Sequence, residues 1–230
     1  MLTPKQNMLE VIKGGNPDRF VNQYEAVQLL FHPFMFANPL LEPGQENVVN
    51  AWGVTNTFPK GVPGSFPVHT PDKIVVKDIE DWQDYVHAPS LKFTQDQWDM
   101  VKAQYDAVDG EQAFKAAFVA PGLFEQTHHL CEISNALVYY ITNPDEMHDL
   151  IKYLTEWELE LAEGICSNLH PDAIFHHDDW GGLDSTFMSP AMFDEFYLSH
   201  IKRFMDIITA MELNWLSIIL TAMLQHWFRL

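Results

Sequence analysis

Cysteine is scarce: Cys131 and Cys166 are the two in 230 residues. A disulfide framework is thereby excluded, and a reducing, cytoplasmic setting is expected. Cationic side chains are scarce too, with 13 Lys and Arg against 32 Asp and Glu, a formal net charge of −19. Nucleic acid and anionic membrane surfaces would repel such a chain and are not expected partners. No stretch reaches the ~20 apolar residues of a membrane span. The start, Met1 to Gln6, lacks a basic segment followed by an apolar one, so no secretory signal is expected. No glycine-rich phosphate fingerprint follows an apolar run, which speaks against dinucleotide binding. Repeats of solenoid length and low-complexity linkers are missing as well.

What is there is a globular composition, 47% apolar and 20% charged. The first third is rich in Pro, Gly and Asn. Turn signals such as Pro43-Gly44 and Pro63-Gly64 predict a long loop region over 33–71. Its aromatics, Trp52, Phe58 and Phe66, suggest an ordered loop covering a site. Thr94 with Gln97 predicts a capping box and a helix to about Val108. Ala116 to Ala120 reads as a buried strand ended by Pro121-Gly122, with a helix following through His129 to Val138. Asn143-Pro144-Asp145-Glu146 predicts a strong helix start, with Asn143 as cap. Ala173-Ile174-Phe175 reads as a short buried strand, and Ser189-Pro190 opens another helix. Strand, helix, strand, helix implies parallel strands with crossover helices, in an open sheet or a barrel.

Chemistry in such folds sits at the carboxyl ends of the strands. His176-His177-Asp178-Asp179-Trp180 occupies that place after Phe175. Two imidazoles and two carboxylates in a row are costly to bury without partners. In an extended segment His177 and Asp179 share one side, His176 and Asp178 the other. We favour the first pair, because Phe175 would point with them into a barrel core. The alternative is a hydrogen-bonded polar strand end. His128, His129 and Cys131 form a second cluster, read as packing residues rather than as a zinc site, which would need about four converging ligands. Cys166 is expected in the core.

Asp172 to Gly181, followed by Phe187 to Phe196, resembles the strand-to-helix segment of the uroporphyrinogen decarboxylase superfamily. So do Gly122 to Glu125, the helix opened by Asn143, Ala51 to Gly53, and Pro71 to Asp81. The resemblance covers most of 1–210 and implies a (β/α)8 TIM-type barrel, here incomplete, with the last strands missing. It implies one of two activities. One branch decarboxylates uroporphyrinogen III without a cofactor. The other moves methyl groups between small molecules, corrinoid proteins and thiols, usually with zinc. The decarboxylase branch carries an arginine-rich N-terminal motif, whereas Tyr24 to Pro39 holds no arginine. A polyanionic porphyrinogen would want such donors.

We therefore expect a methyltransferase with a small methylated substrate and a corrinoid protein as partner. Uroporphyrinogen decarboxylase and a non-catalytic remnant are the alternatives. His177, Asp179 and Asp178 are the catalytic candidates. Trp52, Trp180 and Phe58 are the substrate-binding candidates, and His177 and His176 the metal candidates. The zinc ligands that the resemblance implies, a histidine and cysteine on a later strand and a further cysteine, are lacking.

The stretch 211–230 departs from everything before it: it is largely apolar, with Glu212 and Arg229 as its charged residues. The resemblance implies a glycine and then a strand here, and a barrel of about 250 residues or more. Read one frame over from the Met211 codon, synonymous codons allow a glycine, a strand and a His/Asp/Cys end. A truncated chain, frameshifted after Ala210, is the expectation, with a natural apolar helix as the alternative.

Overall fold

A computed structural model describes residues 1–182, 184–210 and 215–220, the last stretch as backbone. The chain opens with α1 (Pro4–Ile12), α2 (Gln23–Ala26), β1 (Val27–Leu30) and α3 (Phe34–Ala37). Three short strands follow, β2 (Val48–Val49), β3 (Thr55–Thr57) and β4 (Phe66–Pro67). Next come α4 (Gln95–Asp106), β5 (Phe114–Val119), α5 (Leu123–Cys131), α6 (Ile133–Thr142) and α7 (Pro144–Leu169). The last elements are β6 (Ala173–Asp178), α8 (Pro190–Phe193), a π-turn over Asp194–Leu198, α9 (Ser199–Ala210) and β7 (Trp215–Leu220).

The main sheet has the order β1-β5-β6-β7, and each neighbouring pair is parallel. Helices α5 to α7 connect β5 to β6, as a parallel crossover requires. Among the described residues the sheet does not close, so the barrel expectation is met only as an α/β fold with a parallel four-stranded sheet. The segment 33–71 is not one long loop. It holds α3 and an antiparallel sheet in the order β2-β3-β4. Alternation was masked there because the strands are two or three residues long. Beyond Ala210, Trp215–Leu220 pairs in parallel with Ala173–Asp178. The apolar helix considered for that stretch is therefore a strand at 215–220, and the rest of 211–230 lies outside the described residues.

Local chemistry explains most boundaries. Thr94 accepts from the Gln97 amide, and Gln97 returns the bond, so α4 starts at its capping box. Pro144 sits at N1 of α7, but the Asn143 side chain makes no cap bond to the helix. Its Oδ1 accepts from the Thr142 hydroxyl instead, at 2.7 Å. The helix expected from 123 to 138 breaks at Glu132, whose φ is 72°. The Glu132 carboxylate then caps α6 by accepting from the amides of Ser134 and Asn135.

Alternation along β6 separates two environments. Ile174 packs with Ala117, Val119, Leu159, Ile165 and Phe204 on the helix side. Ala173 and Phe175 pack with Ala116, Val27, Leu29 and Phe118 on the opposite face. The stripe of α7, including Leu150, Ile151, Leu154 and Ile165, is buried. Each such side chain contributes about 1.5–3 kcal/mol.

Candidate functional site

The strand predicted to end at Phe175 runs on to Asp178, so His176, His177 and Asp178 are strand residues facing alternate sides. His176 turns toward the helices. It is buried, and its Nε2 lies 2.8 Å from Oε1 of Glu158 on α7. Burial would lower its pKa, but the Glu158 charge and hydrogen bond overcome that and raise it.

His177 turns the other way, with Phe175. Its Nδ1 lies 3.0 Å from Oε2 of Glu125, and its Nε2 lies 3.7 Å from Oδ1 of Asp179. The hydrogen bond to Glu125 is the main cause of a raised pKa. The charges of Glu125 and Asp179 add to it against burial. Glu125 also reaches the His129 ring, with Oε1 3.9 Å from Nε2. The ring of His128 lies beside that of His129.

The segment after β4 brings His69 into the group: its Nε2 is 3.0 Å from the carbonyl oxygen of His129. Burial, then His69, pushes His128 down to about 4. His129 keeps 17% of its side chain exposed. Even so, burial, followed by His128, His69 and His177, pushes it to about 3. Burial thus holds His128 and His129 toward their neutral forms, while the Glu125 hydrogen bond holds His177 toward its charged form.

Asp178 has a different task. It is 2% exposed, and its two oxygens accept from the amides of Phe124 (3.1 Å) and Glu125 (2.8 Å). A carboxylate at the first turn of α5 satisfies orphan donors and meets the positive end of the helix. Burial pushes its carboxyl up to about 6, opposed by the charge of His176. Gly122 makes this contact possible. A Cβ there would sit 2.4 Å from the Asp178 Cβ. The Gly122 amide also donates to the His177 carbonyl oxygen at 2.7 Å.

The structure brings His177 and Asp179 together and leaves the other candidates elsewhere. Trp52 is 4% exposed, meets Trp157 edge-on at 4.9 Å, and lines a small cavity with Phe34, Pro121 and Glu158. Trp180 packs on Phe193 at 4.4 Å and lines a second cavity with His176 and Glu158. Both indoles are buried in one core cluster with Leu123, Phe124 and Phe193. Phe58 directly follows β3, where its backbone pairs with Gly44 and Gln45.

The metal candidates fare no better as a set. His176 and His177 face opposite sides of β6, so they do not share an ion. Among the described residues no three His, Cys, Asp or Glu are arranged to hold a metal. Cys131 and Cys166 are buried, and burial pushes their thiols to about 12 and 11, far from thiolate ligands. The described donors do not fit the zinc that the resemblance implies.

Sequence reasoning missed Glu125, Glu158 and His69. Glu125 carried one signal, an acid at the third position of a helix opened by Pro121-Gly122. Glu158 and His69 carried none, because their partners are distant in sequence.

The family model for uroporphyrinogen decarboxylase (URO-D) matches residues 48–219. No curated protein matches the chain. Among solved structures, a methyltransferase from Methanosarcina mazei superposes with a TM-score of 0.57 at 14% identity. The match covers 96% of this chain and 71% of that one, a likeness of fold. No helix among the described residues is long and apolar enough to cross a membrane. With three quarters of its length matched by the family model, a strand-end acid–histidine group and a parallel α/β sheet, the chain belongs to the uroporphyrinogen decarboxylase family.

Proposed function

We propose that this chain is a methyltransferase-type member of its family, acting on a small methylated molecule. A corrinoid on a partner protein, or a thiol, would be the methyl acceptor. The observation that carries the reading is His177, an imidazole held between Glu125 and Asp179 at the carboxyl end of a parallel strand. When a methyl group leaves a heteroatom, the bonding pair stays on that heteroatom, which then takes a proton. The imidazolium of His177 supplies it, a contribution of about 10²–10⁴-fold for a well-placed acid. Glu125 fixes the ring orientation through Nδ1 and turns Nε2 toward Asp179 and the substrate. Asp178 acts as a positioning residue, because it holds the amide of Glu125.

The named neighbours of His177 are carboxylates and imidazoles. They suit a neutral methyl donor better than a polyanionic porphyrinogen. The structural likeness to a methyltransferase supports the same branch, at the level of fold.

The test supplies the purified protein with a methoxyarene, methanol, a methylamine or a methyl thioether, together with reduced cobalamin. Methylcobalamin formation is followed by absorbance, with zinc content assayed in parallel. Methylation that falls about 10²–10⁴-fold in His177→Gln is expected. Conversion of uroporphyrinogen to coproporphyrinogen with no methyl transfer would overturn the reading.

A further inference from the structure

The C-terminal end of α5 is held by three donors from outside the helix. A helix leaves its last carbonyl oxygens without partners of its own. Here the His129 carbonyl oxygen accepts from the His69 ring at 3.0 Å and the Leu130 carbonyl oxygen from the Val76 amide at 3.0 Å. The Cys131 carbonyl oxygen accepts from the Asn135 side-chain amide at 3.1 Å. Two of the three donors come from the segment after β4. That segment also buries Val76 and Ile79 in one core cluster with Leu123, Phe124, Leu130 and Cys131. The other end of α5 is held by Asp178, through the amides of Phe124 and Glu125.

The bond from His69 differs from the other two in what it holds. Leu130 and Cys131 are wholly buried, so their carbonyl bonds secure the core. His129 is the residue whose ring meets the strand-end group. Its Nε2 is 3.9 Å from Oε1 of Glu125, one turn earlier on α5, and Oε2 of Glu125 is 3.0 Å from Nδ1 of His177. Nε2 of His177 lies 3.7 Å from Oδ1 of Asp179. A carbonyl oxygen only accepts, so Nε2 of His69 carries the proton in its contact with His129. The neutral ring is thereby fixed in one tautomer, with its lone pair on Nδ1. One bond spanning 60 residues thus joins the exit of the small sheet to the helix that carries Glu125.

We propose that His69 is a positioning residue for His177. Its N–H holds the His129 carbonyl oxygen and so sets the last turn of α5, which keeps the His129 ring and Glu125 in place beside His177. Without that donor the carbonyl oxygen is left unpaired in a part-buried setting, and the last turn shifts to find another partner. A misplacement of about 1 Å at a reacting group costs up to about 10²-fold in rate. The consequence for rate rests on the methyltransferase reading; the placement of His177 does not.

The test compares His69→Phe, which keeps an aromatic ring and removes the donor, with His69→Gln, which keeps an N–H near the position of Nε2. In the whole purified chain, the proton on Nδ1 of His177 that Glu125 accepts is followed as a downfield NMR resonance. Methyl transfer to reduced cobalamin is measured alongside. In His69→Phe that resonance should move upfield and broaden, and kcat should fall by up to about 10²-fold at nearly constant KM. His69→Gln should restore both. A His177 resonance unchanged in His69→Phe, or lost equally in His69→Gln, would overturn the proposal. If the wild type transfers no methyl group, the functional reading fails, and the resonance still decides the role of His69. If His69→Phe fails to fold, the imidazole nitrogen shifts of His69 in the wild type decide: a proton on Nδ1 in place of Nε2 would overturn the proposal, and one on Nε2 together with restoration in His69→Gln would support it.

Discussion

Gly122 and Asp178 touch so closely that no side chain fits at position 122. A Cβ would fall 2.4 Å from the Asp178 Cβ and 2.5 Å from its Cγ. Both neighbours are fixed, one by the amides of α5 and the other by the end of β6. Gly122→Ala should therefore lower stability by about 1–3 kcal/mol, the usual cost of overpacking a filled site. A shift in the urea midpoint at unchanged slope is the expected readout. A midpoint equal to wild type would show that the contact yields freely.

His177 makes a prediction about pH. Its folded pKa is raised, chiefly by the hydrogen bond to Glu125. The stability it contributes is then fully present below the unfolded value of about 6.5 and is lost as pH rises through the folded value. Stability curves of wild type and His177→Gln should stand furthest apart on the acid side of that value. They should converge as pH climbs above it. Curves that diverge with rising pH would contradict the sign.

Removing the charge on Glu125 should act through the histidine. In Glu125→Gln the pKa of His177 should move down, read from its imidazole carbon resonances in an NMR titration. If methyl transfer is the activity, its alkaline limb should move down with it. An unchanged His177 titration would place the coupling elsewhere.

The thiols should be silent. Cys131 and Cys166 are buried, with pKa values pushed to about 12 and 11. An aromatic disulfide reagent should label neither in the native protein and both in denaturant. Rapid native labelling of Cys131 would mean that α5 opens readily.

The parts of the fold governed by neighbours in sequence were legible in advance. Thr94 and Gln97 announced α4, and Pro144 announced α7, because caps act over three or four residues. The alternation of His176 and His177 was also readable, since a strand imposes it. The pairing of His177 with Glu125 was not. It spans 52 residues and depends on how α5 docks against β6. Aromatics in a polar stretch suggest a binding loop, which makes Trp52 and Phe58 substrate contacts on sequence grounds. The structure buries the first against Trp157 and places the second at the end of β3, since the stretch has a small sheet of its own. Asn143 shows a subtler limit: its type suited a cap, but the hydroxyl of Thr142 claimed it first.

Two adjacent histidines on β6 do unrelated work because a strand has a period of two. His176 belongs to a sealed hydrogen-bonded pair with Glu158, and His177 to the carboxylates at the strand end. Slipping β6 by a single residue against β5 would exchange them. The sealed partner would be turned out beside Glu125, and the strand-end imidazole forced in against Glu158 and Phe204. Such a slip would preserve every residue and nearly every backbone bond while abolishing the arrangement. The alignment of β6 is thus a condition of function in its own right, enforced by Asp178 at the start of α5 and by the Gly122 amide on the His177 carbonyl oxygen.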